Sequence, residues 1–125
     1  YASTCPPQTI TTRRRELIAD VVYQTLVEVL DVPVGDRFQV IAHGSNVLRI
    51  DPHYLGIDRS PPEAFIVDIT LNAGRSTDLK QRFYAELVAR LHDQVDVRPQ
   101  DVTIALTEIP KENWSFGNGV AQYVT

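Results

Sequence analysis

The sequence has no methionine, a single cysteine and no long apolar run. With Cys5 as the only thiol, no internal disulfide is possible and a cysteine-based zinc site is not expected. No apolar stretch approaches the roughly 18 residues of a membrane-spanning helix, so we predict no membrane partner. The start of the chain also lacks the charged and apolar regions of a signal peptide. These features together predict a cytoplasmic protein, with any starting methionine removed or lying before residue 1.

An excess of positive charge is also missing. Twelve Lys and Arg residues against sixteen Asp and Glu residues give a net charge of −4, and we therefore predict no nucleic-acid partner. The three histidines are scattered without the spacing of metal ligands, so no metal and no cofactor is predicted. A length of 125 residues suits one domain, spanning 1–125, with a core of its own.

Two segments have the apolar periodicity of amphipathic helices. Thr11 or Thr12 is expected to cap the first helix, which ends near Leu30 before Pro33, and Ser76 is expected to cap the second. The predicted inner faces are Ile18, Val22, Leu26 and Val29 in the first helix and Phe83, Leu87 and Leu91 in the second. The arginines at 13–15 are interpreted as a solvated basic face.

Apolar and β-branched segments predict the strands. Residues 64–71 form the most apolar segment and are predicted to be a buried central strand, and residues 102–107 are predicted to be the last long strand. Shorter strands are predicted at 37–43, at 47–50 and within 1–8. The connection 51–63 contains three prolines and one glycine and is predicted to be irregular.

The chain contains an internal repeat. Residues 31–36 and 96–101 share the pattern Asp-Val-x-x-x-Asp, and the same shift of 65 positions superimposes the two helices and their caps. Each half, about 1–60 and 61–125, is a β-α-β unit with parallel strands. The predicted fold class is α/β (α+β), with a four-stranded sheet and both helices on one face. Other subunits are expected to cover the opposite face.

Residues 111–119 contain the only tryptophan and two glycines. In an extended segment, Trp114 and Phe116 point to the same side and form one apolar wall. Gly117 and Gly119 then permit a turn of the backbone or the close approach of a ligand. Two interpretations stay open, an aromatic pair that covers the core and the wall of a binding site.

Four stretches together resemble the tautomerase superfamily, and in particular its malonate semialdehyde decarboxylase branch. They are Asp-Arg-Phe-Gln at 36–39, Tyr-Leu-Gly-Ile-Asp-Arg-Ser at 54–60, Leu-Asn-Ala-Gly-Arg-Ser at 71–76 and Trp-Ser-Phe-Gly-Asn-Gly at 114–119. The resemblance implies a doubled β-α-β fold assembled as a homotrimer. It also implies tautomerisation or decarboxylation of small 2-keto, enol or unsaturated acids.

The resemblance implies roles for five residues. The family uses an amino-terminal proline for proton transfer, and Tyr1 occupies that catalytic position here, with Asp36 at the position of the family's aspartate. Arg75 falls on the arginine that holds the substrate carboxylate. Trp114 and Phe116 fall on the aromatic wall of the substrate pocket.

Two departures from the family pattern bear on activity. Tyr1 replaces the proline, and Ala73 stands where the decarboxylase has a second arginine. We therefore expect a homologue without catalysis, or with very low activity, that still binds a small carboxylate. An active enzyme is the alternative, with the α-amino group of Tyr1 (ordinary pKa about 7.7–8.0) as base or Schiff-base former. A purely oligomeric binding or structural protein is the third reading.

Overall fold

The computed structural model describes residues 12–42 and 49–124. Its regular elements are helix α1 (Thr12–Leu30), strand β1 (Phe65–Asn72), helix α2 (Thr77–Val95) and strand β2 (Val102–Ile109). Short 3-10 turns occupy Tyr54–Gly56, Pro99–Asp101 and Lys111–Asn113. Tyr1 and Thr11 lie outside the described residues, so the predictions made for them stay predictions.

The helix boundaries confirm the sequence prediction. α1 ends at Leu30, and α2 begins directly after Ser76, whose side-chain oxygen accepts a hydrogen bond from the amide of Leu79 at 3.1 Å. Asp78 lies in the first turn of α2, where the positive end of the helix dipole stabilises its negative charge. Both helices contain 19 residues, and their ends are related by the 65-residue shift.

The two helices also end with the same backbone geometry. Asp31 follows α1 with a φ of 58° and Asp96 follows α2 with a φ of 60°, both in the left-handed region. The amide of the next residue then donates to a helix carbonyl six positions earlier, and the left-handed residue ends the helix. These bonds are Val32 N to Leu26 O and Val97 N to Leu91 O, each 3.2 Å long. The repeat seen in the sequence is therefore confirmed for the helices and their ends.

β1 and β2 form a parallel pair. Their register runs from Phe65 opposite Val102 to Asn72 opposite Ile109, which confirms the predicted β-α-β unit of the second half. The four-stranded arrangement is not confirmed, because the sheet of the described residues contains these two strands. Residues 37–42 have no strand pairing within the described part of the chain, and the strand predicted within 1–8 lies outside it.

Both helices pack on one face of the sheet and form the core. Phe83, Leu87 and Leu91 of α2 are fully buried, and Leu30 of α1 is almost so. Burial of side chains of this size contributes about 1.5–3 kcal/mol each. The sheet residues that pack against this core are Phe65, Val67, Ile69 and Leu71 of β1 and Val102, Ile104 and Leu106 of β2.

The opposite face of the sheet is mixed in polarity. Ile66 keeps 50% of its surface exposed, and Asp68 and Thr70, which alternate with the core positions of β1, are exposed beside it. The cover by other subunits that was predicted for this face stays a prediction.

The connection 51–63 is irregular, as predicted, and is tied to the start of β2. Asp101 is only 2% exposed and accepts the amide of Ser60 at 2.7 Å through Oδ1. Arg98 donates to the hydroxyl of Ser60 and, at 3.0 Å, to the carbonyl of Asp58. Asp101 thus anchors a segment 41 positions away.

The contacts of Arg14 differ from the prediction made for the arginines at 13–15. Its Nε and Nη2 atoms donate to the carbonyls of Val95 (3.3 Å) and Asp96 (2.9 Å) at the end of α2. The negative end of the dipole of α2 stabilises a positive charge at this position. Arg14 therefore caps the other helix instead of belonging to a solvated basic face.

No helix within residues 12–42 and 49–124 has both the length and the apolar character needed to cross a membrane.

Candidate functional site

A groove of about 1210 Å³ is lined by α1, β1 and the segment 36–42. Asp36, Arg75, Trp114 and Phe116, four of the five residues predicted for the site, line this groove. The fifth, Tyr1, lies outside the described residues. Positions far apart in the sequence thus meet at one surface of the molecule.

Arg75 follows β1 and precedes α2, and its guanidinium points back to the end of α1. Nε and Nη2 donate to the carbonyl of Leu30 at 3.1 and 3.0 Å, and Nη1 donates to the carbonyl of Asn72 at 3.0 Å. A guanidinium carries five N–H donors, so one on Nη1 and one on Nη2 are left without a partner among the described residues. Arg75 is half-buried, and its charge faces the negative end of α1.

Arg75 and Arg14 each donate hydrogen bonds to backbone carbonyls at the end of a helix. Leu30, which accepts from Arg75, and Val95, which accepts from Arg14, are related by the 65-residue shift. The two arginines are not related by that shift. The fold therefore reaches the same end-capping contact twice from unrelated sequence positions, and Arg75 has a structural role in addition to any ligand contact.

Asn72 joins the arginine to the aromatic wall. Its side-chain Oδ1 accepts the indole N–H of Trp114 at 2.6 Å, while its backbone carbonyl accepts from Arg75. The sequence interpretation gave Asn72 no role. The available signal was its place in the motif at 71–76, directly after the most apolar strand, where a polar side chain meets the end of the sheet.

The aromatic wall is larger than predicted. The rings of Trp114 and Phe116 stack with centroids 5.1 Å apart and an interplanar angle of 11°, so the prediction that they share one side is confirmed. Phe38 (5.6 Å) and Tyr123 (5.3 Å, edge-on) also contact the ring of Phe116. Both line the groove, and the sequence pattern had not connected them with this wall.

Asp36 ends a turn, and its backbone amide donates to the carbonyl of Pro33 at 3.0 Å. It is half-buried at the edge of the groove. The next residues are held against α1: Arg37 Nη2 lies 2.6 Å from Oδ1 of Asp20, and Gln39 Nε2 donates to the carbonyl of Ala19 at 2.8 Å. These contacts keep the segment carrying Asp36 and Phe38 beside the groove.

A partly buried ion pair supports the loop that carries Arg75. Lys80 Nζ lies 2.6 Å from Oε1 of Glu108. The hydrogen bond from Lys80 lowers the pKa of Glu108, and the charge of Lys80 and the nearby amides of Gly74 and Arg75 act in the same direction, against partial desolvation. Glu108 therefore stays ionised beside the Asn72–Arg75 loop. Sequence reasoning missed this pair.

Among residues 12–42 and 49–124, no group of three or more His, Cys, Asp and Glu side chains is arranged to hold a metal ion. The charged lining of the described groove consists of the guanidinium groups of Arg15, Arg37 and Arg75 and the carboxylates of Asp36 and Asp68, beside the aromatic wall.

Comparisons with known proteins agree with this arrangement. A family model described as "Tautomerase enzyme" matches residues 36–117. The probable tautomerase YusQ of Bacillus subtilis (strain 168) is 36% identical over 104 residues, which cover 82% of this chain and 81% of the relative.

Two solved structures share the fold. FG41 malonate semialdehyde decarboxylase, solved with inhibition by 3-bromopropiolate, is 42% identical with a TM-score of 0.81, and the match covers 91% of this chain and 86% of that one. A fused 4-OT protein described as a symmetric trimer is 20% identical with a TM-score of 0.61, covering 88% and 85%. At that identity the second likeness concerns the fold alone.

Proposed function

The chain belongs to the tautomerase family, and from this premise we propose that it binds a small oxo or enol acid in the groove and turns it over very slowly or not at all. The observation that carries the proposal is the pair of N–H donors that Arg75 retains in a groove also lined by Asp36, Trp114 and Phe116. The substrates in question are small 2-keto or enol acids and related oxo acids.

Arg75 holds the carboxylate of the ligand in this proposal. Its three bonds to backbone carbonyls fix the guanidinium plane before a ligand arrives, which lowers the entropic cost of binding. The N–H groups left on Nη1 and Nη2 then accept a carboxylate, the partner that a planar guanidinium favours. The likeness to a decarboxylase inhibited by 3-bromopropiolate, itself a small carboxylate, supports this ligand class.

The aromatic wall excludes water from the rest of the ligand. The stacked rings of Trp114 and Phe116 present an apolar surface, and Asp36 lines the same groove and assists the movement of a proton at the carbonyl or enol oxygen. The carboxyl group of an aspartate can accept or donate a proton when the reacting oxygen of the ligand lies within hydrogen-bond reach.

Weak turnover is proposed because the positive charge that grips the acid is reduced. By the family resemblance, Ala73 stands where the decarboxylase branch has a second arginine, so Arg75 lacks that neighbour. The other arginines that line the groove, Arg15 and Arg37, are engaged with Thr12 and Asp20. Three N–H donors of Arg75 are also already bonded to the backbone carbonyls of Leu30 and Asn72. A decarboxylation or enolisation that builds up negative charge receives less stabilisation from one cation than from two.

The second candidate is an active enzyme, and the 42% identity with malonate semialdehyde decarboxylase favours it. In that case, in a mature chain that begins at Tyr1, the α-amino group acts as the base or forms a Schiff base with the carbonyl.

A homotrimer is the assembly we propose. It is supported by the trimeric fused 4-OT protein of the same fold and by large exposed apolar side chains beside the groove, among them Phe38 at 73% and Val40 at 95% exposure. A cytoplasmic location stays a prediction.

The two candidates are separated by one set of measurements. The amino-terminal residue of the purified protein is first established by intact mass and sequencing. Ketonisation of the phenylpyruvate enol and decarboxylation of malonate semialdehyde are then followed, together with the affinity for phenylpyruvate. Binding without turnover above the background rate supports the first candidate. Turnover that is lost in Arg75→Ala supports the second, and absence of both binding and turnover contradicts both.

A further inference from the structure

The backbone reverses direction directly after the aromatic wall. Gly117, Asn118 and Gly119 have φ angles of 141°, 59° and 68°. Glycine adopts the positive φ angles at 117 and 119 without the steric cost that a side chain would add. The turn predicted at these two positions is therefore confirmed. Residues 117–124, called the strap below, therefore fold back over the segment that precedes them.

Gln122 holds the strap in this reversed position. Its Oε1 accepts the backbone N–H of Phe116 at 2.8 Å, and its Nε2 donates to the carbonyl of Gly117 at 2.9 Å. Only one orientation of the amide satisfies both bonds, because one partner is a donor and the other an acceptor. The side chain thus spans the peptide between Phe116 and Gly117 and fixes its direction.

The next residue closes the contact with the wall. The ring of Tyr123 meets that of Phe116 edge-on, with centroids 5.3 Å apart and an interplanar angle of 81°. The ammonium of Lys111 lies 5.9 Å from the centroid of the same ring. Phe116 in turn stacks on Trp114. An amide at one end of the strap is therefore linked by ring contacts to the only tryptophan.

We propose that Gln122 is a positioning residue that holds the strap against Phe116 and so sets how far the wall of Trp114 and Phe116 is closed over the groove. Gln122 does not touch the ligand in this role. It determines which acids fit, because a bulky substituent needs the wall, whereas the carboxylate and oxo group of a small acid depend on Arg75 and Asp36. The part of the inference that concerns ligands rests on the function proposed above.

The first experiment needs no ligand. Trp114 is the single tryptophan, so its emission spectrum and its quenching by acrylamide report the wall directly. We expect Gln122→Ala to raise the quenching constant about twofold or more, since loss of both hydrogen bonds lets the strap leave Phe116 more often and exposes the indole to the quencher. Gln122→Glu keeps the acceptor for Phe116 but not the donor for Gly117, and we expect an intermediate value.

Gln100→Ala is the matched control. Gln100 is an exposed glutamine in the turn before β2, and its replacement should leave the emission and quenching of Trp114 unchanged. If Gln122→Ala proves too unstable to measure, Gln122→Asn removes one methylene while keeping both polar groups, and the same increase in quenching is expected. Wild-type quenching in the folded Gln122 variants would overturn the proposal.

The second experiment compares two acids that differ in size. We expect Gln122→Ala to weaken phenylpyruvate binding about three- to tenfold and pyruvate binding less than twofold, since only the phenyl ring reaches the wall. Equal weakening of both acids would overturn the specificity role. If neither acid binds the wild-type protein, the proposed function fails, and the quenching experiment still decides whether Gln122 positions the wall.

Discussion

The indole N–H of Trp114 donates to Oδ1 of Asn72 at 2.6 Å, although the two residues are 42 positions apart. Asn72 is the last residue of β1, and Trp114 follows the turn after β2. The parallel pairing of the two strands brings the two segments to the same edge of the sheet. One hydrogen bond therefore links the end of the central strand to the wall of the groove.

Replacing Asn72 tests this link. Asn72→Leu leaves the half-buried indole N–H without its partner, and we expect a loss of about 1–3 kcal/mol in the free energy of unfolding. Asn72→Asp keeps an acceptor and should lose less. Denaturant unfolding measures the stability, and the emission of Trp114 reports its surroundings. An emission spectrum of Asn72→Leu identical to that of the wild type would show that this bond does not hold the indole in place.

Arg75→Ala separates the structural role of the arginine from ligand binding. Arg14→Ala is its matched control, because each arginine caps the end of a helix through backbone carbonyls. We expect both variants to lose about 1–2 kcal/mol of stability, from the hydrogen bonds and the helix dipole. Only Arg75→Ala should also weaken the binding of phenylpyruvate, by about tenfold or more.

Arg75→Lys refines the same test. A lysine keeps the charge but not the planar fork, so we expect affinity between those of Arg75→Ala and the wild type. Equal losses of affinity in Arg14→Ala and Arg75→Ala would mean that Arg75 acts on the ligand only through the stability of the fold.

The pair of Lys80 and Glu108 predicts an acid-dependent loss of stability. The folded protein holds the pKa of Glu108 below its ordinary value of 4.5, so the unfolded chain takes up this proton at higher pH than the folded one. The contribution is therefore complete above about pH 4.5, and it is lost as the pH falls through the lower pKa of the folded state.

Glu108→Gln checks this prediction. The difference in unfolding free energy between wild type and variant should be constant from neutral pH down to about 5 and should shrink as the pH falls toward 3. Glu112→Gln, on an exposed residue of the following turn, serves as the control and should show no such change. A constant difference between wild type and Glu108→Gln down to pH 3 would contradict the lowered pKa.

The two left-handed aspartates at the helix ends predict a gain in stability. Asp31 and Asp96 carry a side chain at φ angles of 58° and 60°, where a Cβ atom is strained. Asp31→Gly and Asp96→Gly remove this strain, and each should raise the unfolding free energy by about 0.5–1 kcal/mol. The corresponding alanine variants keep the steric penalty and should not. Because the positions are related by the repeat, we expect gains of the same sign and near-additive effects in the double variant.

The proposed trimer is tested by the mass of the assembly in solution. Sedimentation of the full chain should give three times the chain mass of 14.1 kDa. Val40→Asp places a charge on a side chain that is 95% exposed in the single chain and should weaken association if the residue is covered by a neighbouring subunit. A monomer at all concentrations would contradict the proposed assembly.

Local sequence signals predicted much of the fold. Apolar periodicity predicted both helices, together with the end of the first near Leu30 and the cap of the second at Ser76, because a helix is stabilised by contacts between residues three and four positions apart. β1 and β2 were recognised from their β-branched content, and their parallel direction follows from the helix between them. The strand predicted at 37–43 is not confirmed, since strand pairing depends on a partner from elsewhere in the chain.

The candidate site was predicted only in part. Asp36, Arg75, Trp114 and Phe116 came from the resemblance to a family, and the groove brings these four together. Asn72, Phe38, Glu108 and Tyr123 were missed. Each of them matters through a partner that is 7 to 78 positions away, and the periodicity of a helix or strand does not reveal such a contact.

The sequence by itself determined the two helices and the aromatic pair at 114 and 116, because each depends on spacing over a few residues. It also determined the repeat of 65 positions, because that repeat follows from comparing the two halves of the chain. Only the tertiary structure decided that Arg75 caps α1, that Asn72 holds Trp114 and that Gln122 folds the strap onto Phe116. These contacts depend on where the packed helices and the paired strands place segments in space. That placement is set by burial of the core as a whole, which no single stretch of the chain specifies.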